Sequence, residues 1–199
     1  GGFLSWWGPP PAATANEDND DNDNDDLWLE RLFAELTPQL TTGDQITLFS
    51  GDLSPVHRLL PTIQTSLVEH GANDVQGIAQ LSARAAVRAS EALPGDTSDA
   101  VRRAFITVTT YKLGVLINLL ARQWPTPQAL NTALNNLAQA SAAESVTALR
   151  EAGCDDPVAL LVPVFTALFE KGGVPPMFLP MASARVTAFL NAHSTNTTK

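Results

Sequence analysis

Cysteine is almost missing from this sequence. Cys154 stands alone among 199 residues, so no disulfide can close within the chain, and zinc motifs built on repeated cysteines are excluded with it. The three histidines, His57, His70 and His193, are scattered, with no H-E-x-x-H pair and no acid at ligand spacing, and no metal is expected. There is no G-x-S-x-G elbow, no glycine-rich phosphate loop and no G-x-G-x-x-G turn; EKGGVPP at 170–176 reads as a turn. Paired carboxylates such as Asp155/Asp156 and Asp96/Asp99 fall at expected helix caps. No catalytic residue and no cofactor is therefore assigned, and the chain is not expected to be an enzyme. Strand signals are missing as well, since no window alternates apolar and polar residues for long enough. The chain opens on Gly without a charged-then-apolar leader, as expected at a processing site or fragment boundary. Location stays unassigned, with a reducing intracellular (cytoplasmic) setting favoured by the single cysteine.

Base is scarce in one place above all. The formal net charge is −9, yet seven of the 21 acids fall within residues 17–26, which hold no base, leaving residues 27–199 with 14 acids against 12 bases. The acidity belongs to a tail. A nearly neutral body offers no general attraction for nucleic-acid phosphates or anionic lipid, and the tail repels both. Asp and Asn alternate through 16–26 with nothing apolar to bury, so the entropy of ordering this stretch is not offset, and it is expected to be disordered. Pro9, Pro10 and Pro11 favour an extended hinge. Ahead of them Phe3, Leu4, Trp6 and Trp7 form a compact apolar cluster. Aromatic side chains bring large contact area at low entropic cost. This cluster, with Trp28 just beyond the acids, is the expected partner-binding set, the cluster docking on a groove of the body, on another protein or at a membrane interface, the last disfavoured by the absence of basic residues nearby. Residues 1–26 are thus read as a flexible arm, 27–193 as a single all-helical domain and 194–199 as a disordered tail.

The body is punctuated by helix signals. Ser54-Pro55, Thr126-Pro127 and Asp156-Pro157 each place a capping residue before a proline at the first helical position, where the missing N–H costs nothing. Ser141 and Glu144 form a capping-box pattern, and Gly153 and Gly172 stand where helices should stop. The spacing predicts helices over 27–36, 55–70, 75–92, 99–121, 127–139, 142–152, 157–170 and 182–192, with a short turn near 44–49. The fold class is all-α: a multi-helix bundle or a short irregular α-solenoid of about eight helices. Residues 99–121 are apolar around most of the circumference and are the expected buried hub. Lys112, Thr107, Thr109, Thr110 and Asn118 within it, and Arg102 and Arg103 near its start, argue against membrane insertion. The helix before it is rich in alanine, which lets two helices approach closely, and the PGDT loop makes the pair antiparallel.

From 130 to 170, the cadence ALNNLA, a polar interruption, ALREAG and then LLVPVF resembles an armadillo-type (ARM/HEAT class) helical repeat. The resemblance spans about forty residues and implies a helical binding surface without naming a ligand. It implies a shared core of Leu134, Leu137, Leu149, Leu161, Val162 and Phe165, with Gly153 at the turn between the second and third helices. Pro163 inside the third helix is expected to kink it.

Arg84 and Arg88 near the end of one helix, and Arg102 and Arg103 near the start of its antiparallel partner, are expected to gather as a patch for an anion or for the acidic tail. The expected function is a non-catalytic helical protein–protein interaction or assembly module with an aromatic anchor and an acidic tether. The alternative is a self-associating structural subunit, coat-like or particle-forming, whose arm contacts a neighbouring copy. A protein partner is expected, with a homo-oligomer as the alternative; nucleic acid and membrane insertion are not.

Overall fold

Capping and periodicity place most of the helices where the sequence puts them. The computed structural model describes residues 27–194; the expected arm over 1–26 lies outside them, as does the tail except for Ser194, which closes the last helix. Among the described residues the chain is all-helical, with eight α-helices: α1 Trp28–Leu36, α2 Thr42–Phe49, α3 Val56–Glu69, α4 Val75–Ser90, α5 Asp99–Leu120, α6 Pro127–Glu151, α7 Pro157–Lys171 and α8 Leu179–Ser194. Short 3-10 turns at Thr37–Gln39 and Pro176–Phe178 precede α2 and α8. Thr41, Asp74, Ser98, Thr126 and Asp156 cap α2, α4, α5, α6 and α7, each side-chain oxygen accepting the backbone N–H three residues on. The Ser54-Pro55 signal is misread by one residue. Pro55 itself holds the cap position of α3 and no side chain caps it.

The largest departure is α6. The sequence predicts two helices there, and the structure has one rod of 25 residues. Ser141 lies among Ala138, Ala140, Ala142 and Ala143, strong helix formers with no glycine or proline to stop propagation. Glu144, which would close the capping box, is instead paired with Lys112 of α5 at 2.5 Å. The armadillo-like triplet therefore lacks the bend between its first two helices. Its second bend is present: Gly153 takes a left-handed φ of 110°, and the N–H groups of Gly153 and Cys154 donate to Arg150 O and Leu149 O, a closure that favours glycine. Of the six expected core positions, Leu134, Leu149 and Leu161 are buried and Leu137 and Val162 pack at the edges, but Phe165 is 36% exposed.

The hub is where the sequence places it. Ile117 of α5 joins Trp28, Leu32, Leu59, Ile63, Leu67 and Leu81 in one cluster; Leu119 joins Leu60, Leu130 and Leu134 in a second; Val101 and Phe105 join Leu149, Leu161, Val164 and Leu190 in a third. A helix that feeds three clusters must be apolar on most sides. Ala83, Ala85 and Ala86 of α4 and Gly114 of α5 are buried, and these two helices form the most extensive pairing in the fold. Small side chains bring their backbones together. No helix among the described residues is long and apolar enough to cross a membrane.

Candidate functional site

Phe3, Leu4, Trp6 and Trp7 lie outside the described residues. Trp28, expected to bind a partner, is instead part of the core. It is 2% exposed, its indole N–H donates to Leu81 O at 3.1 Å, and its ring lies 6.5 Å from that of His70. The amphipathic face of α1 turns it inward, between α3 and α4.

The four arginines do not present one open patch. Arg88 turns toward α1, where its Nε lies 3.3 Å from Glu30 Oε2, and its other side meets Glu91 at 2.5 Å. The Nε contact is an ion pair without hydrogen-bond geometry. Burial lowers the pKa of this guanidinium, but hydrogen bonding and charge from Glu30, then Glu91, outweigh it and leave the group above its ordinary value. Arg102 donates to Ser90 O at 2.7 Å, satisfying the end of α4. Arg84 is half-buried one turn before Arg88, and Arg103 is exposed on α5. Two of the four thus hold helices together.

The side chains that stand out are apolar. Met177 is 77% exposed, Val75 58%, Val68 56%, Ile46 46% and Met181 42%, and of these Met177, Met181 and Ile46 are within a helical turn, along the chain, of one aromatic group. Phe49 of α2 meets Phe169 of α7 edge-on at 6.1 Å between ring centroids and lies 6.3 Å from Phe178, which is itself buried. Met177 and Met181 flank Phe178. Met181 shares a face of α8 with Arg185, whose guanidinium donates to Ser50 O at 3.0 Å, just past the end of α2. Ser50 in turn lies one turn beyond Ile46. The start of α8 therefore lies against the C-terminal end of α2, and the exposed apolar side chains next in the chain to this aromatic trio, Met177 and Met181 beside Phe178 and Ile46 one turn before Phe49, make up a lip. Phe165, one turn before Phe169 on α7, is also exposed.

Local sequence explains the lip. In PPMFLPM, over 175–181, three prolines lack the N–H a helix needs, so a 3-10 turn precedes α8. Of Met177, Phe178 and Met181, only Phe178 points inward. Sequence reasoning starts the last helix at 182 and misses this surface. The available signal was that the chain's two methionines both lie in that proline-broken run.

Other polar groups serve the fold. His57 Nε2 lies 2.8 Å from Trp124 O, His70 Nδ1 2.9 Å from Ser66 O, and the His193 ring lies tilted against that of Phe189, 4.4 Å between centroids. Cys154 packs against the third core cluster. Among the described residues no three His, Cys, Asp or Glu side chains gather where a metal could bind. A shallow depression of about 270 Å³ is lined by Ala143, Glu144, Thr147, Ala148 and Glu151, all on one open face of α6. The chain matches no protein-family model, no curated protein and no solved structure.

Proposed function

We propose that this chain is a non-catalytic helical module for protein–protein interaction or assembly, and that the lip of Ile46, Met177 and Met181 is where its helical body meets another protein. The observation that carries this reading is the exposure of Met177 beside Met181 at the rim of an aromatic cluster. Methionine is unbranched and polarizable, so it re-packs against varied partners at low cost. Contiguous exposed apolar patches on soluble proteins mark interaction sites more often than single exposed residues do. Phe3, Leu4, Trp6 and Trp7 supply a second anchor on the acidic tether.

Capture of binding proteins by the immobilised chain tests this, with Met177→Asp/Met181→Asp as the comparison. Both positions are exposed, so the variant is expected to keep its helical circular dichroism. It is expected to lose a defined set of proteins by about tenfold or more, as central interface residues do. Equal capture by the two chains overturns the reading. A discrete multimer in sedimentation, dispersed by the same substitutions, makes the partner another copy and favours the self-associating subunit.

A further inference from the structure

We propose that the lip is covered in cis by the chain's own residues 3–7, so that a partner must displace them to bind. This rests on the reading of the lip as the docking surface and adds its resident occupant. The chemistry matches on both sides. Phe3, Leu4, Trp6 and Trp7 carry no charge, and neither do Ile46, Met177 and Met181; thioether sulfur packs favourably against aromatic rings.

The reach matches too. Leu27 leads into α1, whose nine residues advance about 14 Å. Just past its far end Thr37 Oγ1 lies 2.9 Å from Gly172 O. From Gly172 to Met177 the chain covers at most about 17 Å. The lip is therefore within roughly 35 Å of Leu27. Trp7 is separated from Leu27 by 20 positions, a length of chain that can reach at most about 70 Å and so covers that distance. A short linker long enough to span the two sites makes the contact intramolecular, at an effective concentration on the order of millimolar. A free partner at micromolar concentration competes against a segment roughly a thousandfold more concentrated.

The chain's two methionines are both in the lip, so methionine-methyl NMR of the full chain reads this surface with two signals. Docked indoles are expected to shift those signals upfield through their ring currents, and Trp6→Ala/Trp7→Ala to abolish the shift. Removal of residues 1–8 is expected to do the same. In the cis arrangement the shift is unchanged by dilution. Methionine signals that are identical in the full chain and in Trp6→Ala/Trp7→Ala overturn the proposal. So does a shift that fades on dilution, since the segment then comes from a second copy. Neither outcome touches the capture experiment on Met177→Asp/Met181→Asp, so failure of the occupant and failure of the docking surface are read separately.

Discussion

The indole N–H of Trp28 donates to the backbone carbonyl of Leu81 across 3.1 Å, joining α1 to the middle of α4 through residues 53 apart. Leu81 O sits inside a helix and has a second acceptor site for the turn that follows it. Trp28→Phe is expected to lose this bond and some ring area while leaving that carbonyl satisfied, at a cost of about 1–2 kcal/mol. Trp28→Ala opens a cavity among Leu32, Ile63, Leu67 and Leu81 and is expected to cost about 3–5 kcal/mol. Urea unfolding of both variants checks this. A tryptophan that served partner binding instead would leave both midpoints near that of the parent chain.

Two glycines hold helices at contact distance. A methyl at Gly77 would lie 1.8 Å from Gly71 O, and one at Gly172 would lie 2.6 Å from Phe33 Cβ. The first obstacle is backbone in the turn that ends α3, so Gly77→Ala is expected to cost more than the about 1–3 kcal/mol usual for overpacking. Gly172→Ala is expected to fall within that range as α1 shifts. Phe33→Ala keeps the offending carbon and gives little relief, so the Phe33→Ala/Gly172→Ala double variant is expected to stay below Phe33→Ala by nearly the full cost. A double-mutant cycle by thermal unfolding measures the coupling.

The helices and the hub were legible because capping chemistry and apolar period are local. Thr126, Asp156 and the apolar circumference of α5 announce themselves within a few residues. What could not be read depends on partners far away in the chain. Glu144 leaves its expected capping role because Lys112 is within reach, and Arg88 turns from the supposed patch because Glu30, 58 residues away, faces it. Trp28 and Phe165 both lie in amphipathic helices, yet one is buried and the other exposed. Only the placement of neighbouring helices separates them. The methionine lip exists because α2 and the start of α8 meet, a fact with no local signature.

Asp44 is the carboxylate whose acid response is clearest. The backbone N–H of Thr41, then the Arg58 guanidinium 2.5 Å away, hold its pKa below the ordinary aspartate value. Because the folded pKa is depressed, the stability it contributes is complete above the unfolded value and is lost as pH falls through the folded one, below about pH 4. Asp44→Asn keeps an oxygen for Thr41 N but no charge. The parent chain and Asp44→Asn are expected to differ in unfolding midpoint at neutral pH and to converge at strongly acidic pH. The gap at neutral pH should also shrink in high salt, since the pair lies at the surface. A gap that persists undiminished into strong acid contradicts this account.

Ser141 and Glu144 decide whether α6 is one helix in solution. In a continuous rod Ser141 is an interior position, and Ser141→Ala is expected to leave stability unchanged or raise it by up to about 0.5 kcal/mol. As a cap, the same change would cost about 1 kcal/mol. Glu144→Gln separates the two arrangements from the other side, because glutamine serves a capping box as glutamate does but cannot neutralise Lys112. The Lys112 side chain is only 14% exposed and meets Glu144 at 2.5 Å. Removing its counter-charge leaves the Lys112 ammonium without its carboxylate partner, and because Glu144 is 55% exposed the cost is that of a partly exposed pair, about 1 kcal/mol. Chemical denaturation of both variants gives the two signs together. A loss in Ser141→Ala with no loss in Glu144→Gln would mean two helices joined at a cap, and would restore the bend that the armadillo-like triplet requires.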